Sequence, residues 1–193
     1  MDRKILFENS IKNHAEVFLD LYKNQDSIFK ACTMLFECLK TNHKILVCGN
    51  GGSAADAQHF VAELVVQFKI KRTPLSALAL TTDTSVITAA GNDFGFDYIF
   101  ADQILALGNE GDTLIGISTS GYSENIRVAI DTANNLNLNI IGLLGNKGGG
   151  LQGEVDIPVI VDSNNTARIQ EAHEFILHFW AEYLEEKFFK DFV

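Results

Sequence analysis

Residues 48–64 read CGNGGSAADAQHFVAEL and join a short apolar run at 44–47 to a segment of helical character. The three glycines at the junction permit a tight turn, and the exposed N–H groups of a helix start favour an anion. His59 and Glu63 follow at i and i+4 on one helix face, where they can bind a divalent metal or transfer a proton. The stretch therefore predicts a strand–turn–helix unit with two chemical capabilities.

Five apolar runs alternate with helical patterns along the rest of the chain. The runs predict strands at 44–48, 75–80, 113–117, 139–144 and 157–161. The patterns between and after them predict helices at 54–68, 84–90, 99–107, 126–135 and 167–189. Because the runs are apolar throughout, they are typical of parallel strands buried on both faces. The fold class is α/β, a doubly wound parallel five-stranded sheet of the flavodoxin-like, three-layer α/β/α type.

Two amphipathic helical patterns precede the first strand and predict an N-terminal helical hairpin over 1–43. Such a hairpin either packs against another subunit or covers one face of the sheet. The hairpin, together with an α/β core and a long last helix over 44–193, forms a single domain over 1–193. A domain of this size can bury a sufficient core without disulfides or structural metals.

Composition and charge limit the partners that the chain is expected to have. The chain of 193 residues has a net charge of −10 and a pI near 4.8, so it lacks the basic footprint of nucleic-acid binding. Neither a secretory signal nor a transmembrane run is evident, and the three cysteines fit a reducing compartment. We expect a cytoplasmic protein with no nucleic-acid or membrane partner. A local anion site remains compatible with the acidic chain.

A second turn suited to an anion follows the third predicted strand. Four small hydroxyl side chains surround Gly121: Ser118, Thr119, Ser120 and Ser123. Serines are also ordinary helix caps, but ligands of open parallel sheets lie at the carboxyl ends of strands, where both turns fall. Without GxGxxG before the first sheet helix, and without GKS or GKT, dinucleotide and Walker-type nucleotide sites are not supported. In the first turn, Ser53 and Asp56 have the spacing of a capping box.

Other features are open to a structural interpretation. Asn92 and Asp93 follow a glycine after the second strand and are expected in a turn. Residues 148–150, three glycines, predict a flexible surface loop.

The last helix carries Gln170, His173 and His178. Residues eight apart lie about 12 Å apart along a helix axis, so Gln170 and His178 reach one metal only from opposite sides or from different chains. His173 fits the local geometry better, and spacing alone does not choose between the two histidines.

Four ordered motifs together resemble a known family: CGNGGSAADAQHFVAEL, AAGNDFGF, GISTSGYSEN and ARIQEAHEFILH. In order and spacing they are similar to the sugar-isomerase (SIS) domain of the phosphoheptose isomerase family, over nearly the entire chain. The resemblance implies a homotetramer with active sites at subunit interfaces. It also implies interconversion of sedoheptulose 7-phosphate and D-glycero-D-manno-heptose 7-phosphate, the entry to bacterial heptose precursors for lipopolysaccharide or capsule.

Carried over residue by residue, the resemblance implies one zinc ion per subunit. Its ligands would be His59, Glu63, Gln170 and His178. The implied substrate-binding set comprises Asn50, Gly51, Gly52, Ser53, Glu63, Asn92, Asp93, Ser118, Thr119, Ser120, Ser123 and Gln170. The resemblance thus selects His178 over His173. Two positions depart from the family pattern, Gln67 in place of an arginine and Ala167 in place of Asp or Pro; Lys69 is a candidate substitute for the arginine.

Aldose–ketose isomerisation moves a proton between adjacent carbons through an enediol, so it needs a base and an acid or metal. We assign Glu63 as the base and His178 as its acid–base partner. If Glu63 is also a metal ligand, that role competes with its role as the base. The alternative is a non-catalytic SIS-domain binding protein of the replication-initiator-associating type, in which the residues matching Glu63 and His178 are replaced. A phosphosugar-sensing domain and an isomerase of shorter sugar phosphates are further possibilities.

Overall fold

A computed structural model of the chain describes residues 2–189 and contains the predicted sheet. Its strands are β1 Ile45–Gly49, β2 Ala77–Ala79, β3 Thr113–Ser118, β4 Asn139–Leu144 and β5 Ile157–Ile160. All neighbours pair in parallel in the order β2-β1-β3-β4-β5, which confirms the flavodoxin-like doubly wound sheet. Residues 1 and 190–193 of the single domain predicted from sequence lie outside the described residues.

Seven α-helices surround the sheet within residues 2–189. They are α1 Arg3–Asp20, α2 Gln25–Lys40, α3 Gly52–Val65, α4 Thr84–Asp93, α5 Ala101–Leu107, α6 Glu124–Asn135 and α7 Thr166–Phe189. Alternate residues of β1 enter different cores, Ile45 and Val47 on one face and Leu46 and Cys48 on the other. The first core contains α2, α3 and α7, and the second contains α4, α5 and α6. The predicted three-layer arrangement is confirmed.

The two edges of the sheet are short. β2 has three residues and β5 has four, with Pro158 as the second residue of β5. The side-chain amide of Asn24, just before α2, donates to the carbonyl of Ile160 over 2.6 Å. The edge at β5 is therefore partly covered by the N-terminal helices.

α1 is joined to α2 by one 3-10 turn at Leu21–Asn24, and both helices pack against α7. His14 of α1 lies 2.7 Å from the carboxylate of Glu171, and the Arg168 guanidinium donates to the carbonyl of Ser10 over 2.8 Å. Nonetheless α1 has no buried residue. Among residues 2–189 no helix is long and apolar enough to span a bilayer.

Candidate active site

The turn after β1 begins the first sheet helix in a different way from the capping box predicted by sequence. The N-cap of α3 is Gly51, in the left-handed region at φ +55°, and no side chain caps the helix. Ser53 is already inside the helix and is buried, with its backbone N–H bonded to the carbonyl of Asn50 at 3.0 Å. The capping-box prediction was wrong, because Gly51 rather than Ser53 occupies the N-cap position. The N–H groups of Ala54 and Ala55 also bond to this turn, 3.1 and 3.3 Å from the carbonyl of Gly51.

The turn after β1 is linked to the turn after β3 by a reciprocal amide pair. Asn50 and Asn125 each donate from Nδ2 to the other's Oδ1 over 2.8 Å. Asn125, in the first turn of α6, is buried. The sequence did not indicate a role for Asn125, because an asparagine near a helix start is usually exposed to solvent. Its role follows only from its pairing with Asn50. The two turns predicted to bind the substrate are therefore held in one arrangement.

Hydroxyl groups organise the turn after β3. Ser118 is buried and its Oγ lies 2.9 Å from Oγ of Ser123, while it accepts from the N–H of Gly121 at 3.1 Å. Ser120 is exposed, and its Oγ accepts from the N–H of Tyr122 at 3.1 Å. Small hydroxyl donors at a helix start make a suitable place for phosphate oxygens.

The three glycines at 148–150 support this hydroxyl-rich turn rather than forming an isolated surface loop. A Cβ at Gly121 would lie 2.7 Å from the backbone nitrogen of Gly149 and would also clash with Gly148, which is buried. The N–H of Leu151 donates to the Gly121 carbonyl over 3.1 Å. Because the two backbones touch directly, neither side of the contact has room for a side chain.

Asn92 and Asp93 are placed differently from the turn expected by sequence. They are the last two residues of α4, both exposed, and the Asn92 amide donates to Asp93 Oδ1 over 2.7 Å. Within residues 2–189 no hydrogen bond joins either side chain to the two turns. Their assignment to the substrate stays a prediction.

Gln170 faces the first turn. A Cβ on Gly52 would clash with the side-chain amide of Gln170, so the missing side chain is what lets the α7 residue approach. The Gln170 side chain thus packs against the start of α3, and its contact with the substrate stays a prediction.

Titratable side chains of α3 and α7 meet beside this point. The Nε2 atoms of His59 and His178 are 2.8 Å apart, and Glu63 Oε1 lies 3.5 Å from His59 Nε2. One further carboxylate, Glu174, enters the same cluster with Oε1 3.1 Å from His59 Nε2 and 3.3 Å from His178 Nε2. Sequence analysis missed Glu174, because helical spacing does not say which α7 residues oppose α3.

The donor set fits a divalent metal. His59, Glu174 and His178 each offer a ligand atom, and these three atoms lie within 4.8 Å of one another. Two imidazoles and one carboxylate are ordinary ligands of a catalytic zinc ion with an open position. Gln170, the fourth ligand implied by the resemblance, lies two helical turns before His178 and faces the glycine turn.

Asp56 borders the cluster from one turn earlier on α3. Burial, and after it the negative charge of Glu174, raises the pKa of Asp56 to about 7. Its Oδ2 atom is buried and has no hydrogen-bond partner in the described part of the chain. The raised pKa means that Asp56 tends to keep its proton beside the Glu174 carboxylate.

The ring of His178 is positioned by Phe68, which stacks on it with ring centroids 5.4 Å apart. Phe68 follows α3 in a segment held by Glu185 of α7. The Glu185 carboxylate accepts from the N–H groups of Phe68 and Lys69, each over 2.8 Å.

Arg72 completes this attachment. Its Nε lies 3.1 Å from Glu185, and its guanidinium donates to the carbonyls of Glu63 and Leu64 over 2.6 Å each. Lys69, the candidate substitute for the absent arginine at Gln67, pairs instead with Glu182 at 2.5 Å. Its ammonium group is therefore engaged in an ion pair with α7.

His173 lies apart from the cluster. It is fully buried, and burial lowers the pKa of its imidazole to about 4. The structure therefore brings together His59, Glu63, Glu174 and His178, places Gln170 at the adjacent turn, and leaves His173 in the core.

Comparisons with known proteins show which family the chain belongs to. A sequence model described as the SIS domain matches residues 7–145. The phosphoheptose isomerase of Campylobacter concisus is 45% identical over 185 residues, which cover 96% of this chain and 98% of that protein.

Two solved structures are similar over nearly the whole chain. A phosphoheptose isomerase from Francisella tularensis has a TM-score of 0.93 at 39% identity, with 96% of this chain and 100% of that chain covered. The phosphoheptose isomerase of Neisseria gonorrhoeae has a TM-score of 0.85 at 40% identity, with 94% and 99% covered. The chain therefore belongs to the phosphoheptose isomerase family of SIS-domain proteins.

Proposed function

We propose that the chain catalyses the aldose–ketose isomerisation of its family, between sedoheptulose 7-phosphate and D-glycero-D-manno-heptose 7-phosphate through an enediol. One observation carries this assignment. Glu63 and the two histidines lie on α3 and α7 next to a glycine turn that is tied by Asn50 to the hydroxyl-rich turn. An acid–base group and an anion site thus occur at one edge of one sheet, as a phosphosugar isomerase requires.

The two turns bind the substrate in this proposal. Ser118, Ser120 and Ser123 hold the phosphate, together with the first N–H groups of α6. The turn at 50–52 and the Gln170 amide bind sugar hydroxyls and orient the reacting carbons toward Glu63. Binding of the remote phosphate contributes free energy that keeps the reacting end in place.

Glu63 and His178 carry the protons. In the ketose-to-aldose direction, the Glu63 carboxylate removes a proton from the hydroxyl-bearing carbon beside the carbonyl, which leaves an enediol, and returns it to the former carbonyl carbon. His178 transfers the hydroxyl proton between the two oxygens, so atoms and charges balance over the cycle. The position of Phe68 against His178 limits rotation of the imidazole.

We further propose one zinc ion per subunit, with the ligands that the resemblance implies: His59, Glu63, Gln170 and His178. For Glu63 and His178 the ligand role competes with proton transfer, because an atom bound to zinc is not free to take up a proton. When bound, the ion polarises the substrate oxygens and stabilises the developing negative charge.

The proposal includes a homotetramer with active sites shared between subunits. Exposed apolar side chains on α1 and near α4 support it, among them Phe7, 68% exposed, and Phe94, 67% exposed. An apolar groove of ≈ 380 Å³ also opens between the N-terminal helices and α7, beside Phe175. A single cytoplasmic domain without a nucleic-acid partner, feeding bacterial heptose synthesis, completes the proposed assignment.

Glu63→Gln tests the assignment. It removes the base but keeps size and polarity, so we expect a folded oligomer with turnover of sedoheptulose 7-phosphate lowered by at least about a hundredfold. The assay detects the aldoheptose phosphate, with and without chelator. Near-normal turnover of the variant would refute the base assignment, and no conversion by the unaltered protein with zinc present would favour the binding-protein alternative.

A further inference from the structure

A buried ion pair lies behind the two side chains to which proton transfer is assigned. The side chains of Arg72 and Glu185 are only 1% and 5% exposed, and Nε of Arg72 donates to Oε1 of Glu185 over 3.1 Å. Charged pairs are seldom buried this completely, because taking both charges out of water is costly. Stability alone explains such a pair poorly, since apolar residues of similar volume often serve as well.

Arg72 holds the end of the helix that carries Glu63. Its Nη2 donates to the carbonyl of Glu63 and its Nη1 to the carbonyl of Leu64, over 2.6 Å each. Because α3 ends at Val65, both carbonyls lie in its last turn, where a helix lacks N–H partners of its own. The guanidinium therefore fixes the backbone from which the Glu63 side chain extends.

Glu185 holds the segment that follows α3. Its carboxylate accepts from the N–H groups of Phe68 and Lys69 over 2.8 Å each, and from that of Ile70 over 3.3 Å. The Phe68 ring is thereby directed over the imidazole of His178, with the two ring planes 26° apart. Glu185 and His178 lie two helical turns apart on α7, so the same helix supplies the imidazole and the anchor of the ring that stacks on it.

We propose that Arg72 and Glu185 are positioning residues for proton transfer. Their ion pair sets the backbone of Glu63 and, through Phe68, the ring plane of His178. The inference rests on the proposed function, because it assigns the pair to these two proton carriers. It is compatible with their zinc-ligand roles, since it concerns a backbone and a ring plane. A displacement of about 1 Å can lower a rate a hundredfold, so this control of geometry bears directly on turnover.

The test is steady-state kinetics with sedoheptulose 7-phosphate, with zinc in excess for every variant. Glu185→Gln removes the charge at nearly constant size. Phe68→Leu removes the ring but keeps an apolar side chain, and Phe68→Tyr keeps the ring. Glu182→Gln is the matched control, because it breaks an exposed ion pair between α7 and Lys69 of the same segment.

We expect Glu185→Gln and Phe68→Leu to lower kcat by about ten- to a hundredfold and to change KM by less than about threefold, because the geometry of the reacting groups is lost and not the binding of the substrate. Phe68→Tyr and Glu182→Gln should keep the wild-type kcat. Urea unfolding identifies variants that do not fold.

The proposal is overturned if folded Glu185→Gln or Phe68→Leu keeps the wild-type kcat, or if either variant raises KM alone. Should Glu185→Gln not fold, Glu185→Asp decides in its place. That variant keeps the negative charge beside Arg72 but withdraws the carboxylate from the N–H groups that it holds, so a wild-type kcat for it overturns the proposal equally.

NMR spectra of protein with isotope-labelled histidine rings report the stack without substrate. The ring-proton signals of His178, assigned by their loss in His178→Gln, sense the aromatic ring of Phe68. We expect Glu185→Gln to move them toward their positions in Phe68→Leu and Glu182→Gln to leave them unchanged.

These results separate the positioning role from the function. Moved ring signals in Glu185→Gln, together with a wild-type protein that does not convert the heptose phosphate, would refute the proposed function and support the positioning of His178. Turnover by the wild type, with kcat and ring signals unchanged in Glu185→Gln, would do the reverse.

Discussion

His173 connects burial of a single residue to the acid stability of the protein. Burial lowers the pKa of its imidazole to about 4, although the backbone of Leu144 favours the charged form. Between pH 6.5 and 4 the unfolded chain binds a proton that the folded chain does not. The free energy of unfolding therefore falls as the pH drops through this window, by roughly 3 kcal/mol in total.

Replacing His173 by leucine removes this proton linkage while keeping an apolar side chain in the core. We expect the stability of His173→Leu, relative to wild type, to rise by about 2–3 kcal/mol between pH 7 and pH 4, measured by urea unfolding at each pH. Asp56, with its pKa raised to about 7, has the opposite effect in this window but titrates in both proteins and cancels. A difference that does not change with pH would contradict the prediction.

At the scale of elements, the sequence predicts the strands, helices and turns, because hydrophobic periodicity and turn residues determine them. The five strands and the two turns are recognisable because buried parallel strands are continuously apolar and glycine or serine clusters interrupt them. Side-chain pairs across elements are not encoded in this way. The contacts of Asn125 and Glu174 became apparent only when α6 and α7 were placed beside the first turn. The N-cap position of Gly51, which was predicted for Ser53, depends on a left-handed backbone angle that the sequence does not specify.

The glycine segment at 148–150 offers a test of how one element positions another. Gly149 is in the left-handed region at φ +55°, and a Cβ there would meet the backbone of Gly121. Gly149→Ala should cost at least about 1–2 kcal/mol and shift the hydroxyl-rich turn. We expect KM for the sugar phosphate to rise about tenfold, with kcat reduced less, measured by steady-state kinetics.

Gly153→Ala is the control for this variant, because a Cβ at Gly153 meets no atom within 4 Å. Its KM should equal that of the wild type. If the KM of Gly149→Ala is as low as that of Gly153→Ala, the contact between Gly149 and Gly121 does not position the phosphate site.

At the scale of the whole molecule, α1 requires an explanation. None of its 18 residues is buried, and Ile5, Leu6, Phe7 and Ile11 are each at least half exposed. A large exposed apolar surface is characteristic of an interface between subunits. The proposed tetramer covers this surface with copies of the same chain.

Placing charge on this helix tests the tetramer. The double variant Phe7→Glu, Ile11→Glu should dissociate to smaller species in light scattering and lose most isomerase activity, since buried unpaired carboxylates are costly and the sites are shared. Lys12→Glu changes the net charge by the same −2 on the same helix and should remain assembled. A tetrameric, active double variant would exclude α1 from the interface.

The short edges of the sheet have a consequence for how copies of the protein meet. Long, flat edge strands invite pairing with other chains and uncontrolled aggregation. Here one edge has three residues, and the other contains Pro158 and receives the Asn24 amide. A proline lacks the N–H that ladder formation needs. Growth of fibres by strand addition is therefore disfavoured at both ends, and self-association is left to the helical surfaces.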